Sequence, residues 1–222
     1  MSEGSLREIL SRIEDEVKRK DEARQEIQVA MRKATRLSKQ AIFLVHKELL
    51  EEAEKKLEEA RSLFKILHET IREYPDLVYS GVVDGAYQEF SEASIFLTLI
   101  RDGRFISYEE INVPSVPYVL GLADVIGELR RRVLDLIRKG DTKTAEKTLE
   151  LMEVIYLELM GLGEAYFLIQ GLRKKCDVAR RIIETTRGDL TIEVRRSSLE
   201  SSINELKNMI SGGERSGRDT ST

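Results

Sequence analysis

The stretch LVYSGVVDGAYQEFSEASIFLTLI, residues 77–100, decides the fold class. It opens two residues after Pro75 and closes just before Asp102-Gly103, a helix-stop signal. Its apolar residues recur at spacings of three and four, the period of an α-helix rather than a strand. With Glu89 set at zero and about 100° per residue, Val82 and Ile100 fall about 20° to one side. Val78 and Phe96 fall about 20° to the other. Glu92 lies about 60° away with Leu99 beyond it, whereas Asp84, Gln88, Ser91 and Thr98 point elsewhere on the wheel. Two glutamates one turn apart therefore share an apolar face. Burying a carboxylate costs on the order of several kcal/mol, and a second beside it adds to that. A cation, a proton or an arginine must compensate.

The same helical period extends in both directions. Residues 5–49 carry Leu6, Ile9, Leu10, Ile13 and Val17, then Ile27, Ala30, Met31, Ala34, Leu37, Ala41 and residues 43–45 on one face. The charged insert KRKDEARQE at residues 18–26 predicts a solvated turn or two between them. Residues 51–73 form a second helical pattern that ends at Tyr74-Pro75. Downstream, Ser107-x-x-Glu110 reads as a capping box for a short helix. Pro114 and Pro117 open a helix to Lys139 that Gly140 closes, and residues 142–160 form another, stopped by Gly161 and Gly163. A last helix starts near Glu164 and runs past Met209, with a break expected near Arg187-Gly188. No stretch alternates with period two. The expectation is an all-α, single-domain bundle of six or seven long helices over residues 1–210, with no repeat and no linker. The tail SGGERSGRDTST, residues 211–222, is expected to be disordered.

Composition narrows the function classes. The chain has 222 residues, 36 basic and 40 acidic, for a net charge of −4, and 41% are hydrophobic. That length supports a substantial core. No run of 18 apolar residues occurs, so no transmembrane helix is expected. The start MSEGSLREIL has no apolar segment of the secretory kind, which points to the cytoplasm. A single cysteine, Cys176, leaves no internal disulfide and no thiolate zinc site. The three prolines all lie between positions 75 and 117, so the flanks favour long unbroken helices. Near-neutral charge argues against a wholly basic nucleic-acid binder but leaves room for a local basic stripe.

A second acidic pair, Asp124 and Glu128, lies four residues apart in GLADVIGELRRRVLDLIRKG, residues 121–140. Leu122, Val125, Ile126, Leu129 and Val133 form the apolar stripe of this helix, and the acids fall opposite, with Arg131 and Asp135. Such a face is usually solvated, and it can also wall a water-filled cavity. Gly121 and Gly127 beside the acids would admit a close backbone or ligand. Four carboxylates without histidine make a hard oxygen set, suited to Mg²⁺ or Mn²⁺ rather than zinc or copper. Such ions activate water and stabilise a pentacoordinate phosphate. The competing readings are a buried salt bridge for Glu89 and Glu92, and a solvated face for Asp124 and Glu128. A ferritin-like di-iron site fails, because Phe43 and Lys65 precede His46 and His68 where Glu-x-x-His needs a glutamate.

Basic residues group at helical spacing as Arg32, Lys33, Arg36 and Lys39, and again as Arg173, Lys174, Lys175, Arg180 and Arg181. Such stripes neutralise phosphates, yet a chain with 34% charged residues also presents them as plain solvated faces. Without interleaved aromatic residues, any nucleic-acid contact falls on the backbone. His46 follows an apolar run and reads as packing or capping. No Walker loop, G-x-G-x-x-G or G-x-S-x-G is present.

The segment SKQAIFLVHK, residues 38–47, resembles the S-K-x-x-I-F-x-L-H-R segment of the translin and Trax family. EARSLF at Glu59, QEFSEA at Gln88, GLADVIGELRR at Gly121, RKGD at Arg138 and GLRKKCD at Gly171 follow in the family's order, so the resemblance spans about residues 20–195. It implies a seven-helix, all-α fold that closes into hollow shells, usually of eight subunits. Within this family translin binds single-stranded RNA and DNA, and Trax supplies the acidic site of a Mg²⁺-dependent endoribonuclease. The acidic residues of that site fall on Glu89, Glu92 and Asp124, with Glu128 as the fourth. Translin lacks the glutamate pair, so the resemblance is to the Trax side.

The resulting expectation is a metal-dependent endoribonuclease, a hydrolase acting on single-stranded or short duplex RNA inside a homo-oligomeric, octameric shell in the cytoplasm. Glu89, Glu92, Asp124 and Glu128 would be its catalytic and Mg²⁺- or Mn²⁺-binding residues. Arg32, Arg36, Lys39, Arg173, Lys174 and Lys175 would touch phosphates. A translin-type partner is compatible but not required. With only three Asn and five Gln and abundant charge, the composition is of the thermophilic kind, where self-assembly alone is the simpler course. The alternatives are a non-catalytic binder of RNA or single-stranded DNA, and a purely structural helical scaffold.

Overall fold

A computed structural model describes residues 3–78 and 81–216, with side chains left out at a few positions next to the masked ends. In chain order the helices are α1 (Glu3–His46), α2 (Leu50–Glu73), a 3₁₀ turn (Pro75–Val78), α3 (Gly81–Asp102), α4 (Tyr108–Ile111), α5 (Ser115–Lys139), α6 (Thr142–Met160), α7 (Ala165–Leu168) and α8 (Leu172–Ser216). Six are long and two are single turns, and no strand occurs among the described residues. The all-α expectation holds. None of the described helices is long and apolar enough to cross a membrane.

Several boundaries differ from the sequence reading. The charged insert at residues 18–26 stays helical inside α1. Charged residues are good helix formers, and Glu14–Lys18 at 2.6 Å is a supporting pair one turn apart. The unmarked join after His46 is made by Glu48, which takes a left-handed φ of 62° without being glycine. Pro75 starts the 3₁₀ turn rather than α3 itself. Residues 164–171 separate into α7 and a turn, so α8 starts only at Leu172 and then passes Arg187-Gly188 unbroken. Of the expected tail, residues 217–222 lie outside the described residues. The capping box came out as read: the Ser107 side chain accepts from the Glu110 amide, and the Glu110 side chain accepts from the Ser107 amide. Gly140 closes α5 with a φ of 78°, where a side chain would be strained.

The described chain divides into two compact units, residues 1–125 with 164–175, and residues 126–163 with 176–222. In the first unit α1 and α2 pack on α3, burying Met31, Ala34, Val45, Leu67, Phe90 and Phe96. The Phe64 and Tyr87 rings stack at 4.6 Å, and His68 Nε2 lies 2.9 Å from the Tyr87 hydroxyl. His46 packs on Phe96 with ring centroids 4.9 Å apart, as the packing reading expected. In the second unit Ile126, Leu129 and Val133 of α5, Met152 and Ile155 of α6, and Cys176, Ala179 and Ile183 of α8 are buried. Arg130 ties α5 to α8 there, donating to the Thr186 hydroxyl at 2.9 Å and the Ile182 carbonyl at 3.3 Å.

Not every apolar stripe finds a core. Leu6, Ile9, Leu10, Ile13 and Val17 on α1 are exposed, and so are Ile192, Leu199, Ile203, Leu206 and Met209 on α8.

Candidate functional site

The site is built where α5 meets α3 in the first unit, and a glycine sets the approach. A Cβ placed on Gly121 would lie 2.6 Å from the Gln88 carbonyl oxygen, 2.9 Å from the Glu92 amide nitrogen and 2.9 Å from the Ser91 Cβ. Two backbones therefore touch here, and only glycine permits it. One turn along α5, Asp124 is carried against α3, where Gln88 Nε2 donates to its Oδ2 at 2.6 Å. Gly127, the other glycine of this helix, has open space about it and plays no such part.

This overturns the solvated-face alternative for Asp124. Its side chain is only 28% exposed, because α3 covers it. Lys175, at the start of α8, donates to its other oxygen, Oδ1, at 2.5 Å. Both carboxylate oxygens of Asp124 are thus held.

The glutamates of α3 divide. Glu92 is 9% exposed, the deepest acid of the site, and its backbone lies against Gly121. Glu89 is less deep than the wheel implied, with its side chain 25% exposed and Lys39 Nζ of α1 3.2 Å from Oε1. The wheel misplaces it because the second half of α3, from Phe90 to Leu99, is buried all round. Ser91 and Thr98 are as buried as the apolar residues, and their hydroxyls donate to the carbonyls four residues back. A helix surrounded by others has no single apolar face to read. The salt-bridge alternative for Glu89 is realised in part, with lysine in the place expected for arginine.

Where α3 crosses α5 the structure brings Gln88 against Asp124 and the Glu92 backbone against Gly121, while Glu89, on the same turn of α3, is paired with Lys39 of α1. Glu128 belongs to the second unit, where it is half-buried. Among the described residues no three His, Cys, Asp or Glu side chains form a group that could hold a metal. The donors are hard carboxylate oxygens, right in kind for Mg²⁺ or Mn²⁺. In this arrangement Glu89 and Asp124 are each closed on a lysine. The residues fit the ion by the chemistry of their donors, and two of them are neutralised by lysines.

Of the basic residues proposed for phosphate contact, Lys39 and Lys175 are these two. Arg32 and Arg36 are exposed on α1, two turns and one turn before Lys39, and Arg173 and Lys174 are exposed beside Lys175. Among the described residues none of these four makes an ion pair. Two of the six cations therefore stand at the acids. Gln88 was missed as part of the site. Gly121 was the signal available for it, since a glycine that admits a neighbouring backbone also brings that neighbour's side chains.

Comparison with known proteins identifies the family. The sequence profile of the Translin family matches residues 22–185. An uncharacterized protein of Methanocaldococcus jannaschii is 32% identical over 190 residues, covering 85% of this chain and 84% of that protein. Translin-associated protein X of Rattus norvegicus is 28% identical across 54% of this chain and 55% of its own length. Among solved structures, the AfC3PO–duplex RNA complex superposes with a TM-score of 0.75 at 35% identity, covering 84% of this chain and 97% of that chain. The apo form of NeC3PO gives 0.75 at 28% identity, covering 83% and 96%. The chain belongs to the translin family.

Proposed function

We propose that this protein is a Trax-like, metal-dependent endoribonuclease that binds single-stranded or short duplex RNA and cuts its phosphodiester bonds, working in the cytoplasm as a homo-oligomeric shell. The observation that carries the reading is Asp124 of α5 seated on the segment of α3 that bears Glu89 and Glu92, with Lys175 on Asp124 and Lys39 on Glu89. The solved likeness to a chain in complex with duplex RNA supports RNA as the ligand.

Glu89, Glu92 and Asp124 would hold Mg²⁺ or Mn²⁺, with Glu128 as a further acid one turn beyond Asp124. A bound ion of this kind lowers the pKa of water and offsets the charge of the phosphorane. The chain's own residues do the rest. Gln88 and the backbone contact at Gly121 orient Asp124, and the burial of Glu92 keeps bulk water from competing for it. Arg32, Arg36, Lys39, Arg173, Lys174 and Lys175 hold the phosphates of the strand.

The shell is supported by the exposed apolar stripes on α1 and α8, since isolated domains rarely leave such stripes in water. An octamer built from this chain alone satisfies the reading, and a translin-type partner is not required.

Purified protein is expected to cut labelled RNA with Mg²⁺ or Mn²⁺ and to stop with EDTA. Glu89→Ala and Glu92→Ala should abolish cutting while RNA binding persists. Variants that cut as well as the wild type would sink the catalytic assignment. A second reading, binding without cleavage, rests on the lysine pairs that close Glu89 and Asp124. Retained RNA affinity with no metal-dependent cutting would favour it.

A further inference from the structure

We infer that Lys175 and Lys39 are resident counter-cations of the carboxylate site, exchanged for the divalent ion, so that metal binding and phosphate binding are coupled through the same two ammonium groups. The inference rests on the metal-dependent reading above and adds a means of regulation to that site.

Three observations lead to it. First, the ammonium of Lys175 sits 2.5 Å from Asp124 Oδ1, while the second oxygen is held by Gln88 at 2.6 Å. Asp124 therefore has no oxygen clear of a donor. Second, Mg²⁺ needs carboxylate oxygens at roughly 2.1 Å. An ammonium at contact distance and a divalent cation on the same oxygen repel each other in a half-buried setting, where screening is weak. One must leave. Third, the two lysines differ in how freely they can do so. Lys39 is 62% exposed on a flexible stem, whereas Lys175 is 26% exposed. Lys175 is the stronger competitor, and Lys39 swings into solvent at little cost.

The displaced ammonium groups do not go far. Their stems stay anchored beside the acids, and Arg32, Arg36, Arg173 and Lys174, close to them along the same helices, are exposed without ion pairs among the described residues. An RNA phosphate is the ligand of matching charge. Without a divalent ion, the lysines neutralise the acids and are unavailable. With it, they are free for phosphate. Linkage makes the effect reciprocal: RNA should tighten the ion as much as the ion tightens RNA.

The test is calorimetric titration of Mn²⁺ into the metal-free protein, comparing wild type, Lys175→Met and Lys39→Met, with Asp124→Asn as the site control. Removing the competing ammonium should tighten Mn²⁺ about twofold to fivefold in Lys175→Met, with a smaller gain in Lys39→Met. In parallel, affinity for a labelled RNA is measured with and without Ca²⁺, which takes oxygen ligands. The wild type should bind RNA more tightly with the ion, and Lys175→Met should lose most of that gain. Equal or weaker Mn²⁺ binding in both lysine variants, with the wild type binding Mn²⁺ through Asp124, overturns the exchange and leaves the metal site standing. Absence of Mn²⁺ binding from the wild type and from both variants overturns the metal reading and the exchange together. Lys39, being mostly exposed, keeps the test decisive should Lys175→Met fail to fold.

Discussion

Gly121→Ala tests the contact on which the site depends. The added Cβ would lie 2.6 Å from the Gln88 carbonyl oxygen, about 0.7 Å short of an ordinary carbon–oxygen approach. Two of the three atoms it meets are backbone, so no side-chain rotation relieves the clash and α5 must back away from α3. Overpacking of this kind costs about 1–3 kcal/mol. Replacing glycine by alanine inside a helix returns up to about 1 kcal/mol. The net loss is about 1–2 kcal/mol, or roughly 3–6 °C in melting temperature for a chain of this length. Gly127→Ala on the same helix is the control, because a Cβ there meets nothing within 4 Å. It should be neutral or stabilising. Urea and thermal unfolding followed by circular dichroism, at one fixed protein concentration, would measure both. Backing α5 away also lengthens the 2.6 Å bond from Gln88 to Asp124, so Gly121→Ala should weaken Mn²⁺ binding where Gly127→Ala does not. If Gly121→Ala proves as stable as Gly127→Ala, the helices are not in backbone contact and the argument for the site's geometry falls.

Two further outcomes follow from buried polar groups of the first unit. Ser94 is 4% exposed, and its hydroxyl has no partner among the described residues. Ser94→Ala should therefore be neutral or stabilise by up to about 1 kcal/mol in urea unfolding, whereas a clear loss would show that the hydroxyl is bonded in solution. Burial pushes the Tyr87 hydroxyl up to about 12, with the nearby Asp84 carboxylate adding to it. The folded protein thus favours the neutral phenol, a contribution complete below the ordinary value near pH 10 and lost as pH rises toward 12. Ultraviolet titration should show one tyrosine ionising late, together with loss of helix, and Tyr87→Phe should remove that late step.

What the structure adds to the sequence differs from one helix to the next. Helix identity was legible nearly throughout, because prolines, glycines and three-four spacing are local signals. Local signals also located the capping box at Ser107 and the close of α5 at Gly140. They failed at Glu48, which turns the chain in a left-handed conformation without being glycine.

The amino-acid sequence by itself determined that the chain is helical, and it supplied the acids and cations that the family motifs carry. It could not determine which of them meet. Asp124 looked solvated on its own helix because a helical wheel knows nothing of the neighbour that covers it. Glu89 looked more buried than it is, because α3 from Phe90 onward is enclosed on every side and its period no longer reports a face. That Lys39 and Lys175 stand on the acids rather than apart from them was decided by tertiary structure alone. Charge pairing between residues 50 or more positions apart depends on which helices pack together, as Asp124 and Lys175 do across 51 positions. Spacing along one helix encodes its own faces. Only the packing of several determines which charge each face meets.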